Sequence, residues 1–188
     1  SGQTFQSAWE GCSGLTAFPL LNTRQGTNFA NAWKGCSGLT DFPVLDLGNG
    51  ANFSGAWEGC TGLTSFPALD LENGTNFASA WKGCTSLVSF PAHMFDQCTA
   101  TNFTNAWLNC TLDSQSMDNI LISLDLGGQS NGSIKLDGLS PGPSGFAAKA
   151  SLEGKGWTVE LTCNQPPYSC STAVNPYCVT DFSDAWSG

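Results

Sequence analysis

Histidine occurs once among 188 residues, at His93, and that scarcity removes the commonest general base and the usual nitrogen ligand of zinc. Basic side chains are also few: six Lys and Arg against fifteen Asp and Glu leave a net charge of -9. A surface of that sign repels phosphate backbones and anionic lipid, so nucleic acid is not an expected partner. No apolar run approaches the roughly 20 residues of a membrane helix, the longest lying around Ile120 to Leu126. There is no C-x-x-C pair, no phosphate-cradling glycine loop, no nucleophile beside a base and no spaced carboxylate pair. The expectation is therefore a protein that is not an enzyme, with no cofactor, no metal and no membrane insertion. Residues Ser1 to Phe5 carry none of the basic and apolar regions of a signal peptide, so such a peptide is expected to lie upstream or to have been removed.

What the sequence does hold is a repeat. Phe5, Trp9, Cys12, Leu15, Phe18 and Pro19 return as Phe29, Trp33, Cys36, Leu39, Phe42 and Pro43. They return again from Phe53 and from Phe77, and a fifth copy opens with Phe103, Trp107 and Cys110 before diverging. Large apolar residues at a fixed interval cannot be buried by one copy, so the copies are expected to stack, with Phe, Trp, Cys and Leu as core. Phe to Trp is four residues and Trp to Cys three, a spacing that predicts a short helical segment. Asn28, Asn52, Asn76 and Asn102 precede the Phe, where they would cap its first turn. Leu-x-x-Phe-Pro predicts a brief strand ended by Pro. The expected fold is an α/β solenoid, leucine-rich-repeat-like, with short parallel strands and short helical segments, followed by an α/β terminal cap.

The motif Ala-Trp-x-Gly-Cys-x-x-Leu-x-x-Phe-Pro resembles the repeats of BspA-like leucine-rich-repeat surface proteins, which typically carry Ala-Phe-x-x-Cys-x-x-Leu in the same order. Related repeats occur in phage and algal-virus fibre-like proteins. Here Trp stands in place of that Phe at positions 9, 33, 57, 81 and 107. The resemblance covers about residues 3–163 and implies a surface-exposed scaffold without naming an activity.

Past Cys110 the pattern changes. Met117, Ile120, Leu121 and Leu124 predict a helix from about Gln115, Ser133 to Leu136 a strand, Ser144 to Glu153 a second helix and Trp157 to Thr162 a last strand. The expected organisation is a solenoid over 1–110, a cap over 111–163, a Pro- and Cys-rich linker over 164–178 and a partial repeat over 179–188. That last segment, with Phe182 and Trp186, copies the first half of the motif. It is expected either to dock on Phe5 and Trp9 of another subunit, giving head-to-tail filaments, or to mark a piece of a longer array.

Nine cysteines favour an extracellular or secretory setting, at a cell or virion surface. Cys12, Cys36, Cys60, Cys84 and Cys110 form one column, expected as buried thiols. Cys98, Cys163, Cys170 and Cys178 lie outside it and are candidates for two disulfides of unknown connectivity. Glycosylation sequons stand at Asn52, Asn73, Asn102, Asn109 and Asn131, with Asn73 and Asn131 in turns as the better acceptors and Asn109 between. Asp46, Asp70, Asn49 and Asn73 recur in turns but lack the full oxygen set of a calcium loop. The leading functional expectation is a structural or adhesive extracellular protein, a fibre subunit that associates with itself. The other is a recognition module that reads a glycan or protein surface with Thr40, Asp41, Thr64, Ser65, Val88 and Ser89.

Overall fold

A computed structural model describes residues 2–163. The leucine-rich-repeat-like α/β solenoid is not the fold. Among the described residues, regular structure amounts to two helices and two small parallel sheets, and no strand-plus-helix unit recurs at the motif interval. The strands β1 (Gln3–Thr4) and β2 (Gly26–Asn28) form one sheet. Then come β3 (Asn102–Leu112), α1 (Ser114–Gly127), β4 (Ser133–Gly138), α2 (Pro143–Gly154) and β5 (Thr158–Cys163), with sheet order β3-β4-β5.

The predicted helical segments of the motif fail for a backbone reason. In each copy the third residue from Phe has positive φ: Ser7, Asn31, Gly55, Ser79 and Asn105. So does the seventh, Gly11, Gly35, Gly59, Gly83 and Asn109. A left-handed residue every four positions breaks the i→i−4 ladder, and an L residue held there costs about 1 kcal/mol. The N–H groups instead divide into two sets. Ala32, Lys34 and Cys36 donate to carbonyls three residues back, at 3.0, 3.2 and 3.1 Å. Phe29, Asn31, Trp33 and Gly35 donate to Asn52, Ser54, Ala56 and Glu58 of the next copy, at 2.8, 2.9, 2.8 and 2.7 Å. Each Phe-to-Cys segment is thus a rung of linked turns bonded to its neighbour. The Asn before each Phe serves as a turn former, not a helix cap: Asn28, Asn52, Asn76 and Asn102 accept from the N–H two residues on, at 3.0 to 3.2 Å.

The disulfide expectation is corrected as well. Cys12, Cys36, Cys60, Cys84, Cys98 and Cys110 are all free thiols. Cys98 is a buried free thiol whose Sγ donates to the carbonyl of Gly74 at 3.3 Å instead of bonding a second sulfur. Cys163 ends β5, and Cys170 and Cys178 lie outside the described residues.

Over residues 113–163 the predicted elements and the observed ones coincide within a few residues, while the linker over 164–178 and the partial repeat over 179–188 lie outside the described residues. Asp113 caps α1 by accepting from Ser116 N–H at 2.7 Å, and Gly128 closes it with φ 74°. Pro143 opens α2, whose preceding Gly142 N–H is held by Asp118 of α1 at 2.7 Å. Met117, Ile120, Leu121 and Leu124 are buried and continuous with the core of the fourth and fifth rungs. Ser116 and Ser123 of α1 accept from Phe90 N–H and Phe95 N–H at 2.8 and 2.7 Å, so the helix satisfies backbone groups of the preceding segment as it covers it.

Candidate functional site

The side chains of the rungs make a continuous aromatic ladder. Trp9, Trp33, Trp57, Trp81 and Trp107 stack with ring centroids 5.0–5.4 Å apart and planes within 12° of parallel. Phe5, Phe29, Phe53, Phe77 and Phe103 form a second stack at 5.1–5.4 Å. Phe18, Phe42, Phe66 and Phe90 form a third, edge-on to the indoles. Offset and edge-on pairs each add about 0.5–1.5 kcal/mol beyond area burial. Against that gain, the indole N–H groups of Trp33, Trp57, Trp81 and Trp107 are buried without an N or O acceptor. An unsatisfied donor of that kind costs on the order of 1–3 kcal/mol.

A thiol ladder runs beside the rings. Cys36, Cys60, Cys84 and Cys110 point their Sγ at the carbonyls of Trp9, Trp33, Trp57 and Trp81 of the preceding rung, at 3.1–3.2 Å. Burial raises the pKa of these thiols, to about 12 for Cys60 and Cys110, helped at Cys60 by the charge of Cys36 and at Cys110 by Asp137. Buried protonated thiols do not react, and the column acts as packing. Outside it runs an alternating charge column, in which Glu58 bridges Lys34 at 3.0 Å and Lys82 at 3.5 Å.

The first rung differs from the others. Phe29 and Trp33 are fully buried, whereas Phe5 and Trp9 are only partly covered and Cys12 is exposed. Each later rung receives four N–H bonds from the rung before it. Among the described residues the corresponding carbonyls of the first rung, those of Thr4, Gln6, Ala8 and Glu10, receive none.

No protein-family model, curated protein or solved structure matches this chain.

The remaining candidate residues are placed as follows. Thr40, Asp41, Thr64, Ser65, Val88 and Ser89 are all exposed. They lie in two adjacent columns, with Ser65 bridged to Ser89 and Val88 N–H donating to Thr64 at 3.0 Å. Of the sequon residues, Asn73 is exposed but its Nδ2 donates to Gly48 at 2.6 Å. Asn102 donates its Nδ2 to Asn76 at 3.1 Å, and Asn52 is half-buried. Asn109 and Asn131 are exposed at positive φ. Asn49 and Asn73 donate their Nδ2 groups to the carbonyls of Arg24 and Gly48 at 2.8 and 2.6 Å. His93 is 75 % exposed and pairs through Nδ1 with Asp96 at 2.8 Å. Phe182 and Trp186 lie outside the described residues. The feature missed in the sequence is Asp137: it is buried, with one carboxylate oxygen on Asn109 N–H at 2.7 Å and the other without a partner.

Proposed function

We propose that this is a non-catalytic structural or adhesive protein of a cell or virion surface, and that it associates with itself head to tail. The observation that carries this reading is the pairing of rung with rung: at each junction four N–H groups reach four carbonyls of the next copy, and the Phe and Trp rings stack on the same rings of that copy, so a rung is complementary to a copy of itself. A surface that complements a pattern already repeated along the chain, and that differs from the opposite end of the stack, makes a heterologous contact, and such contacts propagate into filaments. The likeness of the motif to BspA-like surface repeats supports the location. Sedimentation velocity across a concentration series, with negative-stain imaging of the same samples, tests it. Species that lengthen with concentration are expected, and a monomer at every concentration would overturn the reading.

A second reading, recognition of an external surface, is favoured by the two exposed columns running through Thr64 and Ser65. Regular spacing of hydroxyls offers a repeated ligand, such as a glycan chain, several equivalent contacts. Binding of the full chain to a glycan panel, compared with Thr64→Arg and Ser65→Arg variants, tests that reading, and equal binding by the variants would remove it.

A further inference from the structure

One interval breaks the repeat. Phe29, Phe53 and Phe77 follow one another at 24 residues, whereas Phe103 follows Phe77 at 26. At the regular junction before it the turns close on each other: Asn73 Nδ2 donates to the Gly48 carbonyl at 2.6 Å, and a Cβ added to Gly48 would come within 3.0 Å of Asp70 Oδ2. At the longer interval the turn that starts at His93, itself at φ 61°, is tied to residues 69–74 at its two ends. Leu69 N–H donates to Met94 Sδ, and Cys98 Sγ donates to the Gly74 carbonyl, each at 3.3 Å. A cavity of about 160 Å³ lies between the two segments.

The lining of this cavity has two parts. Leu69, Leu71 and Met94 are buried and form an apolar floor, beside the Cys98 thiol, whose pKa burial raises. Asp70, Glu72 and Gln97 are exposed and form the rim with His93, whose Nδ1 is taken by Asp96 at 2.8 Å. Asp70 Oδ1 accepts from Glu72 N–H at 3.1 Å, which fixes that carboxylate at the rim. Among the described residues neither Asp70 nor Glu72 has an ion-pair partner, because all five Lys lie against Glu58, Asp125, Glu153 or Glu160. Neither Lys nor Arg lines the cavity.

Two uncompensated carboxylates over an apolar floor select a ligand class. A hard divalent cation takes about six oxygens, and among the described residues no group of three His, Cys, Asp or Glu is placed to hold a metal. A hydrocarbon would fill the floor and leave the rim unused. A short alkyl chain that ends in an ammonium uses both, since its apolar body leaves water and its charge meets charged acceptors. We propose that this cavity binds a primary alkylammonium, with the alkyl chain on Leu69, Leu71 and Met94 and the ammonium N–H donors on Asp70, Glu72 and the side-chain carbonyl of Gln97. The site owes nothing to self-association or to the hydroxyl columns, and it exists because two residues are inserted between Phe77 and Phe103.

The test uses the full chain with its two methionines methyl-labelled, so that Met94 reports the cavity and Met117, buried on α1, is the internal control. n-Butylammonium should shift the Met94 methyl signal saturably and leave Met117 in place. n-Butanol, which keeps the chain, and ammonium, which keeps the charge, should each bind about tenfold more weakly or worse, a tenfold change corresponding to about 1.4 kcal/mol. Asp70→Asn combined with Glu72→Gln, both exposed isosteres, should weaken n-butylammonium by about tenfold as well. Asp46→Asn, in the same column one junction earlier, should leave its affinity unchanged. N-acetyl-lysine amide separates two sources of the amine: affinity equal to that of n-butylammonium assigns a lysine side chain of another protein, and clearly weaker binding assigns a free amine. Equal binding of n-butanol would leave the carboxylates without a role and overturn the proposal. A loss in Asp46→Asn that matched the double variant would mean attraction to net charge alone and overturn it too, as would a Met94 signal that n-butylammonium does not move.

Discussion

Two segments of this chain have the same apolar spacing and opposite structures. Phe29, Trp33 and Cys36 stand at i, i+4 and i+7, and so do Met117, Leu121 and Leu124. The second set lies on α1, while the first lies on a rung of turns that gives half its N–H groups to a neighbour. Burial does not separate them, since all six residues are in the core. The difference is at i+2 and i+6, where the rung has Asn31 and Gly35 at positive φ and the helix has Asn119 and Ser123 in regular helical backbone. A 3.6-residue period therefore marks which residues are buried together, and the left-handed positions decide whether the chain between them coils.

The largest test of this comparison uses pH, because the rungs hold buried thiols and residues 111–162 hold none. Burial raises the Cys60 and Cys110 thiols to about 12 from an ordinary 9.0. Above 9.0 the unfolded chain loses those protons while the folded one keeps them, so stability is full below that value and falls as pH climbs toward 12. Each such thiol removes on the order of 1.4 kcal/mol per pH unit over that window. Denaturant midpoints measured between pH 8 and pH 11 should fall steeply, and a Cys60→Ala variant should show a slope shallower by about one proton. A flat profile would mean that the thiols are not buried as described.

Next in size are the rings. Trp57→Ala removes an indole stacked at 5.4 Å on Trp33 and 5.2 Å on Trp81 and should cost about 3–5 kcal/mol. Trp9→Ala, covered on one side, should cost clearly less, and Leu121→Ala on α1 about 2–5 kcal/mol. Trp57→Phe sharpens the contrast: it gives up area but also removes an N–H buried without an acceptor. It should therefore come within roughly 1.5 kcal/mol of wild type. Thermal or denaturant unfolding of the four variants decides the order.

The contrast also explains what was legible in the sequence. Columns of Phe, Trp, Cys and Leu could be read because burial depends on side-chain type and interval, both of which are printed in the chain. α1 could be read because Met117, Ile120, Leu121 and Leu124 keep a helical interval that no positive-φ residue interrupts before Gly128. The turn-built rung could not be read from spacing, which it shares with a helix. Its local signal is the Gly that recurs at 11, 35, 59 and 83, each at positive φ. The engagement of Asn73 Nδ2 by Gly48 and of the Cys98 thiol by Gly74 depends on contacts some 24 residues apart, which no local pattern encodes.

Glycines at one column allow a smaller test of rung-to-rung contact. A Cβ on Gly62 would lie 2.6 Å from the carbonyl oxygen of Leu39 and 2.7 Å from that of Ser37, both fixed backbone of the neighbouring copy. Gly62→Ala should cost about 1–3 kcal/mol. Gly14 holds the same position in the first copy, where a Cβ meets nothing within 4 Å, so Gly14→Ala should change stability by no more than about 0.5 kcal/mol. Equal losses at the two sites would contradict the stacking of copies.

The smallest effect belongs to the charge column outside the rungs. Glu58 accepts from Lys34 and Lys82, cations of the rungs on either side, at 3.0 and 3.5 Å. All three groups are partly exposed, so screening by water and salt limits each pair, and Glu58→Gln should cost no more than about 1 kcal/mol at low salt. Raising ionic strength to 1 M contracts the Debye length to about 3 Å and should remove most of that difference, while leaving the loss in Trp57→Ala in place. A Glu58→Gln loss that matched the ring variant, or that survived high salt, would mean that charge and not the aromatic stack joins one rung to the next.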